Sequence, residues 1–115
     1  MQILNATRNV SLATAVKVSD SFLTRGRGLI GSAPLQAGEA MIIRPCKGVH
    51  TWFMSYPIDV IYVDSANTVL GWEDAMVPWK LGRPRVKARY VIEMPAHSVK
   101  ESGTQVGDQL ALVTE

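Results

Sequence analysis

At 115 residues, with 47% apolar and 19% charged side chains, the chain has the composition of one folded domain over residues 1–115 and not that of a disordered segment. No apolar run reaches the roughly 18–20 residues a membrane helix needs, and MQILNATRNVSLATAV lacks the unbroken apolar stretch of a signal peptide. The net charge of +2 hides a local imbalance: five of the twelve basic residues, Lys80, Arg83, Arg85, Lys87 and Arg89, lie in KLGRPRVKAR, a segment with no acid.

In chain order, residues 10–18 alternate Val10, Leu12, Val16 and Val18 against Ser11, Ala13 and Lys17, which predicts a half-buried strand. Ser19 and Asp20 are N-cap candidates for a short helix through FLTRGRGLIG, with Gly26 and Gly28 each costing it about 1 kcal/mol relative to alanine. AMIIR (40–44) is a short strand candidate. Pro57 opens IDVIYVD, a β-branched and aromatic run, and SANT (65–68) before VLGWED completes a hairpin pattern. ARYVIEM (88–94) reads as a strand, AHSVKESG as a turn or two of helix, VGD as a turn, and QLALVT as a closing strand. Short strands with one or two short helices define a β-rich α+β domain, and a small, partly closed antiparallel β-barrel is the expected way to hide strand edges at this size.

CKGVHTWFMSYPIDV (46–60) concentrates the chemistry: the only cysteine, one of two histidines, a tryptophan and an acid. One cysteine forms no internal disulfide, which favours a cytoplasmic setting. A Cys46–His50 nucleophile pair needs a turn at Lys47-Gly48, because in one extended segment the two would stand about 13 Å apart at roughly 3.3 Å per residue. The plainer alternative is an inert buried thiol beside a core histidine. Zinc takes three or four ligands, and Cys46, His50, His97 and scattered acids do not make a set, so neither a metal nor a cofactor is expected.

Asp59 shares a strand face with Ile61 and Val63, opposite Ile58, Val60 and Tyr62. A buried carboxylate there needs donors, for which Arg25, Arg27, His50 or backbone N–H groups of the Met54–Pro57 turn are available; its role is either structural or ligand-binding. Glu93 shares a face with Val91 and Arg89, and the simplest reading is a solvated face. Trp72 and Trp79 flank a charged turn and serve either core packing or a groove. The basic segment 80–89, with aromatic residues close by, could follow a single-stranded nucleic acid, although five charges on a Pro/Gly loop more often form a solvated loop.

The ordered set RGRGLI (25–30), HTWFMSYPIDVIYVD (50–64), VIEMPAHSV (91–99) and VGDQLAL (106–112) resembles the prokaryotic domain-of-unknown-function family 192. Arg25, Gly28 and Leu29 match its first element; Met54, Pro57, Asp59 and Asp64 its second; Glu93, Pro95 and Ala96 its third; Gly107 and Asp108 its fourth. Two departures stand out: Phe53-Met54-Ser55-Tyr56 replaces W-M-x-N-T, and His97 replaces the glycine that follows Pro-Ala in the family. The resemblance implies a small β-rich domain and carries no activity with it.

Together these readings lead to the expectation of a small soluble binding or accessory domain, with a pocket lined by Arg25, His50, Trp52, Met54 and Asp59 for a small polar or anionic ligand or a partner's peptide. An enzyme using Cys46 and His50 is the alternative, and a nucleic-acid binder through Lys80, Arg83, Arg85, Lys87 and Arg89 the third.

Overall fold

The computed structural model describes residues 1–19, 35–44, 56–76 and 85–114. In chain order these form β1 (Gln2–Asn5), β2 (Val10–Ala13), β3 (Ala15–Ser19), β4 (Glu39–Ile43), β5 (Ile58–Val63), β6 (Val69–Met76), β7 (Tyr90–Pro95), a short helix α1 (Ser98–Ser102) and β8 (Leu110–Val113). The helix expected from Ser19 through Gly31 falls mostly outside the described residues.

Two sheets result. The smaller has the order β2-β1-β8 and the larger β3-β4-β7-β5-β6. Neither closes on itself among the described residues, so the expected barrel is corrected to a pair of open sheets. The larger sheet is also mixed, because β3 and β4 run parallel, with Ala15 opposite Glu39 and Ser19 opposite Ile43. A parallel pair needs a crossover of a dozen or more residues, and the stretch from residue 20 to 38 has that length.

The strand expected over 10–18 breaks at Thr14. The amides of Thr14 and Ala15 both donate to the Gly38 carbonyl, at 2.8 and 3.0 Å, and the chain passes from the smaller sheet to the larger one at that point. The alternation survived the break because Leu12, Val16 and Val18 all pack on the same core. β1 has no counterpart in the sequence reading: its inward residues are Ile3 and Asn5, and a buried asparagine interrupts the apolar pattern.

One core draws on both sheets and the helix, with Ile3, Leu12, Ile42, Ile61, Ile92, Met94, Val99 and Leu110 in contact. A second cluster, Ile43, Ile58, Val60, Tyr62, Met76, Ala88 and Val91, forms on the other face of the larger sheet. β5 is therefore buried along its whole length on both faces, and β7 up to its last residue. Burial of that kind suits their near-continuous apolar sequences.

The hairpin between β5 and β6 turns on Asp64, whose Oδ1 accepts the amides of Ala66 and Thr68 at 2.9 Å each. The Tyr90 hydroxyl donates to Asn67 Oδ1 of the same turn at 2.9 Å, and burial, with Asp64 nearby and Arg44 opposing, pushes its pKa up to about 12. At the far end of the smaller sheet, buried Asn5 donates to Thr104 Oγ1 at 3.1 Å and to Asp108 Oδ2 at 2.9 Å, while Arg8 Nε reaches the same oxygen at 2.7 Å. The Gly-Asp of the VGD turn thus anchors β1 to the segment after α1.

Candidate functional site

Because β5 and β7 are buried on both sides, each carries one acid into an interior. Asp59 sits on the face shared with Ile61 and Val63, fully buried. Its Oδ1 accepts the Ala75 amide at 2.7 Å and the His97 amide at 3.0 Å; its Oδ2 accepts the Val99 amide at 2.9 Å. The donors are thus backbone groups of β6 and of the β7–α1 junction. Ala75 and His97 both have positive φ, +47° and +75°, so the carboxylate holds two backbone positions that side chains rarely adopt. The geometry is that of an organising group, and Asp59 spends its lone pairs on the fold.

Glu93 faces the other way. It is 4% exposed, so the expectation of a solvated face is corrected: the residues around it bury it, and the period-two pattern of a strand carries no information about what covers its second face. Among the described residues its carboxyl makes no hydrogen bond or ion pair, and Oε2 is buried without a partner. Burial alone pushes its pKa up to about 7. The Tyr56 phenol, two residues before β5, has its pKa raised by burial and then by the Glu93 charge.

The strand register arranges this face in rows. Met41, Glu93, Val60 and Glu73 lie side by side across β4, β7, β5 and β6. Beside them runs a second row of Ile43, Val91, Tyr62 and Gly71. Arg85 lies over the end of the second row: its guanidinium is 4.2 Å from the Tyr62 ring centroid and its Nη1 is 3.1 Å from Glu73 Oε1. Gly71 makes room for it, since a β-carbon there would come within 3.2 Å of Arg85 Nη2. A cation held by a ring face and a carboxylate is a favourable pairing even when partly exposed.

Of the side chains singled out from the sequence, Asp59 is in place as above. Arg25, Cys46, His50, Trp52, Met54, Lys80 and Arg83 lie outside the described residues. In the basic segment Lys87 and Arg89 are exposed, whereas Arg85 is committed to Glu73 and Tyr62. Trp72 packs partly against the inner core and, with Val99, Thr104 and Val106, borders a surface hollow of about 430 Å³. The sequence reading missed the row of Glu93 and Glu73. The family motif around Glu93 was the available signal, since it contains an acid on a strand otherwise apolar.

Residues 3–112 match DUF192, described as an uncharacterized ACR, and the chain belongs to that family. A UPF0127 protein of Pyrococcus horikoshii is 32% identical over 117 residues, covering 97% of this chain and 99% of its own length. A UPF0127 protein of Pyrococcus abyssi is 33% identical over 118 residues, covering 97% of each chain. Among solved structures, a protein of unknown function from Novosphingobium aromaticivorans superposes with a TM-score of 0.81 at 17% identity, over 96% of this chain and 82% of that one. Likeness at that level of identity shows the fold alone.

Proposed function

We propose that the chain is a small binding domain whose ligand site lies on the outer face of the larger sheet, around Glu93. The observation that carries this reading is a carboxyl 4% exposed whose Oε2 accepts no hydrogen bond. Buried polar groups are nearly always paired, and a perturbed acid left open in an interior is a recurrent mark of a functional position. Apolar neighbours with a few convergent polar groups make up the usual ligand site, and Met41, Val60, Tyr56 and Glu93 supply both kinds. Asp59 has a supporting part in this reading: it fixes the backbone at positions 75 and 97–99 behind the site. The single cysteine accords with a cytoplasmic setting.

The test is a thermal-shift screen of small polar compounds (amines, carboxylic acids, sugars, amides) on the wild-type protein and on Glu93→Gln. A compound that stabilises the wild type by several degrees and leaves the folded variant unmoved supports the reading. Equal responses from both proteins across the whole panel would overturn it.

A further inference from the structure

The β7–α1 junction that Asp59 anchors borders a hollow of about 340 Å³, and none of the residues in the outer-face rows lines it. Ala96 and Ser98 line it at the junction, Glu101 on α1, Ser11 and Leu12 on β2, and Gly38 in the turn before β4. The backbone on two sides is pinned. Asp59 accepts the amides of His97 and Val99, and the Gly38 carbonyl accepts those of Thr14 and Ala15. His97, at φ of +75°, stands between two lining residues, and local strain of that kind gathers where a fold shapes a ligand site.

The polar side chains of the lining are nearly all acceptors. Ser98 Oγ donates its hydrogen to the Pro95 carbonyl and keeps only lone pairs for a ligand. Ser102 Oγ donates to the Val99 carbonyl and is further engaged with Thr104 Oγ1. The Glu101 carboxylate has neither a hydrogen bond nor an ion pair among the described residues, and the Ser11 hydroxyl is likewise free. Glu101 is the single charge on the described lining. Ser98 and Glu101 are three residues apart on α1 and so share a helix face. Leu12 and Ala96 add apolar surface to these acceptors.

The geometry points to a second ligand site in this hollow, for a small organic amine whose ammonium donates to Glu101 and Ser98 Oγ and whose apolar body lies against Leu12 and Ala96. It is independent of the site around Glu93. Ligand pockets run from about 300 to 1,000 Å³, so a hollow of about 340 Å³ suits a single ring or a short chain with its head group. An anionic ligand would meet Glu101 with like charge, and a neutral one leaves that charge unanswered. Glu101 is exposed, so its charge selects the sign of the ligand more than it adds affinity.

The experiment is an amide-resolved NMR titration of the full chain with cyclohexylamine, cyclohexanol and cyclohexanecarboxylate. These share one body and differ in a cationic, neutral or anionic head. Each is run on wild type, Glu101→Gln and Glu101→Lys, and the exposed position lets both variants fold. Cyclohexylamine is expected to shift the amides of Ser11, Gly38, Ala96 and Ser98 with one common affinity. It binds about fivefold tighter than cyclohexanol, as an exposed ion pair allows, and the carboxylate binds weakest. Glu101→Gln brings the amine to the level of the alcohol, and Glu101→Lys reverses the order of amine and carboxylate. Equal affinities in the wild type, or an order that Glu101→Lys leaves unchanged, overturn the amine assignment. Absence of shifts at those amides with all three compounds overturns the site itself.

Discussion

Asp59 Oδ1 accepts the amide hydrogen of Ala75 at 2.7 Å, and Ala75 is held at φ of +47° in the strand that pairs with Asp59's own. The carboxylate thereby ties a bulge on β6 to the turn into α1, through acceptors for three backbone donors. Asp59→Ala leaves those amides without their partner and is expected to cost about 3 kcal/mol or more, since each unsatisfied buried donor costs about 1–3 kcal/mol. Asp59→Asn keeps one acceptor oxygen and is expected to cost less. Urea unfolding gives the two values. Loss of hydrogen-exchange protection at Ala75, His97 and Val99 beyond that at other amides identifies the mechanism, and normal stability in Asp59→Ala would contradict it.

Glu93 makes the stability of the protein fall as pH rises. Its pKa goes from an ordinary value of 4.5 in the unfolded chain to about 7 in the fold, so the folded state binds the extra proton between those limits. The corresponding stability is complete below about pH 4.5 and is lost as pH rises through 7, amounting to about 3 kcal/mol at roughly 1.4 kcal/mol per pKa unit. Glu93→Gln is expected to flatten the slope between pH 5 and 8. Denaturant midpoints measured across that range check it, and a wild-type curve already flat there would be the contrary result.

His97 occupies a position where the family has glycine, and the reason is now geometric. With φ of +75° it lies in the left-handed region, and its side chain is exposed and makes no capping bond. His97→Gly removes the strain and keeps the amide that Asp59 accepts, with an expected gain of about 1 kcal/mol. A rise in melting temperature is the readout, and a fall would mean that the imidazole contributes more than the strain costs.

Asp108 contributes on the acid side. Burial works to raise its pKa, but hydrogen bonds from Arg8, Asn5 and the Gln105 amide, together with the Arg8 charge, outweigh it and hold the group below its ordinary 3.8. The stability this supplies is present above about pH 4 and disappears as pH falls through the lowered value. Asp108→Asn is expected to blunt the acid limb of the stability profile and leave the slope near pH 6 unchanged. Asn5→Ala, which strips the bonds donated to Thr104 and Asp108 and the one its Oδ1 accepts from the Arg8 amide, is expected to cost about 2 kcal/mol or more in unfolding experiments.

The strands from residue 39 onward were legible because they carry strong local signals: β-branched runs, a turn at 65–68 and the VGD corner. Apart from the β5–β6 hairpin, pairing partners were not. Nothing local distinguishes a strand crossing between sheets at Thr14 from one that continues, because its apolar parity is the same in both cases. Asp59 was recognisable as an acid among apolar neighbours, yet its donors come from residues 16 to 40 positions away. Glu93 was misjudged for a related reason. Alternation tells which residues share a face, and only the assembled fold tells that both faces of β7 are covered.

The antiparallel pairing of β1 with β8, Gln2 opposite Val113 and Asn5 opposite Leu110, sets the order in which the molecule can be completed. β1 occupies the centre of its sheet, between β2, which follows it directly in the chain, and β8, which follows only after every other described strand. During translation β1 therefore waits with an open edge, and the Asn5 side chain stays solvated until Asp108 arrives to receive it. Such distant closure is slow, and a ribosome-bound chain at this stage exposes an unpaired strand to its surroundings.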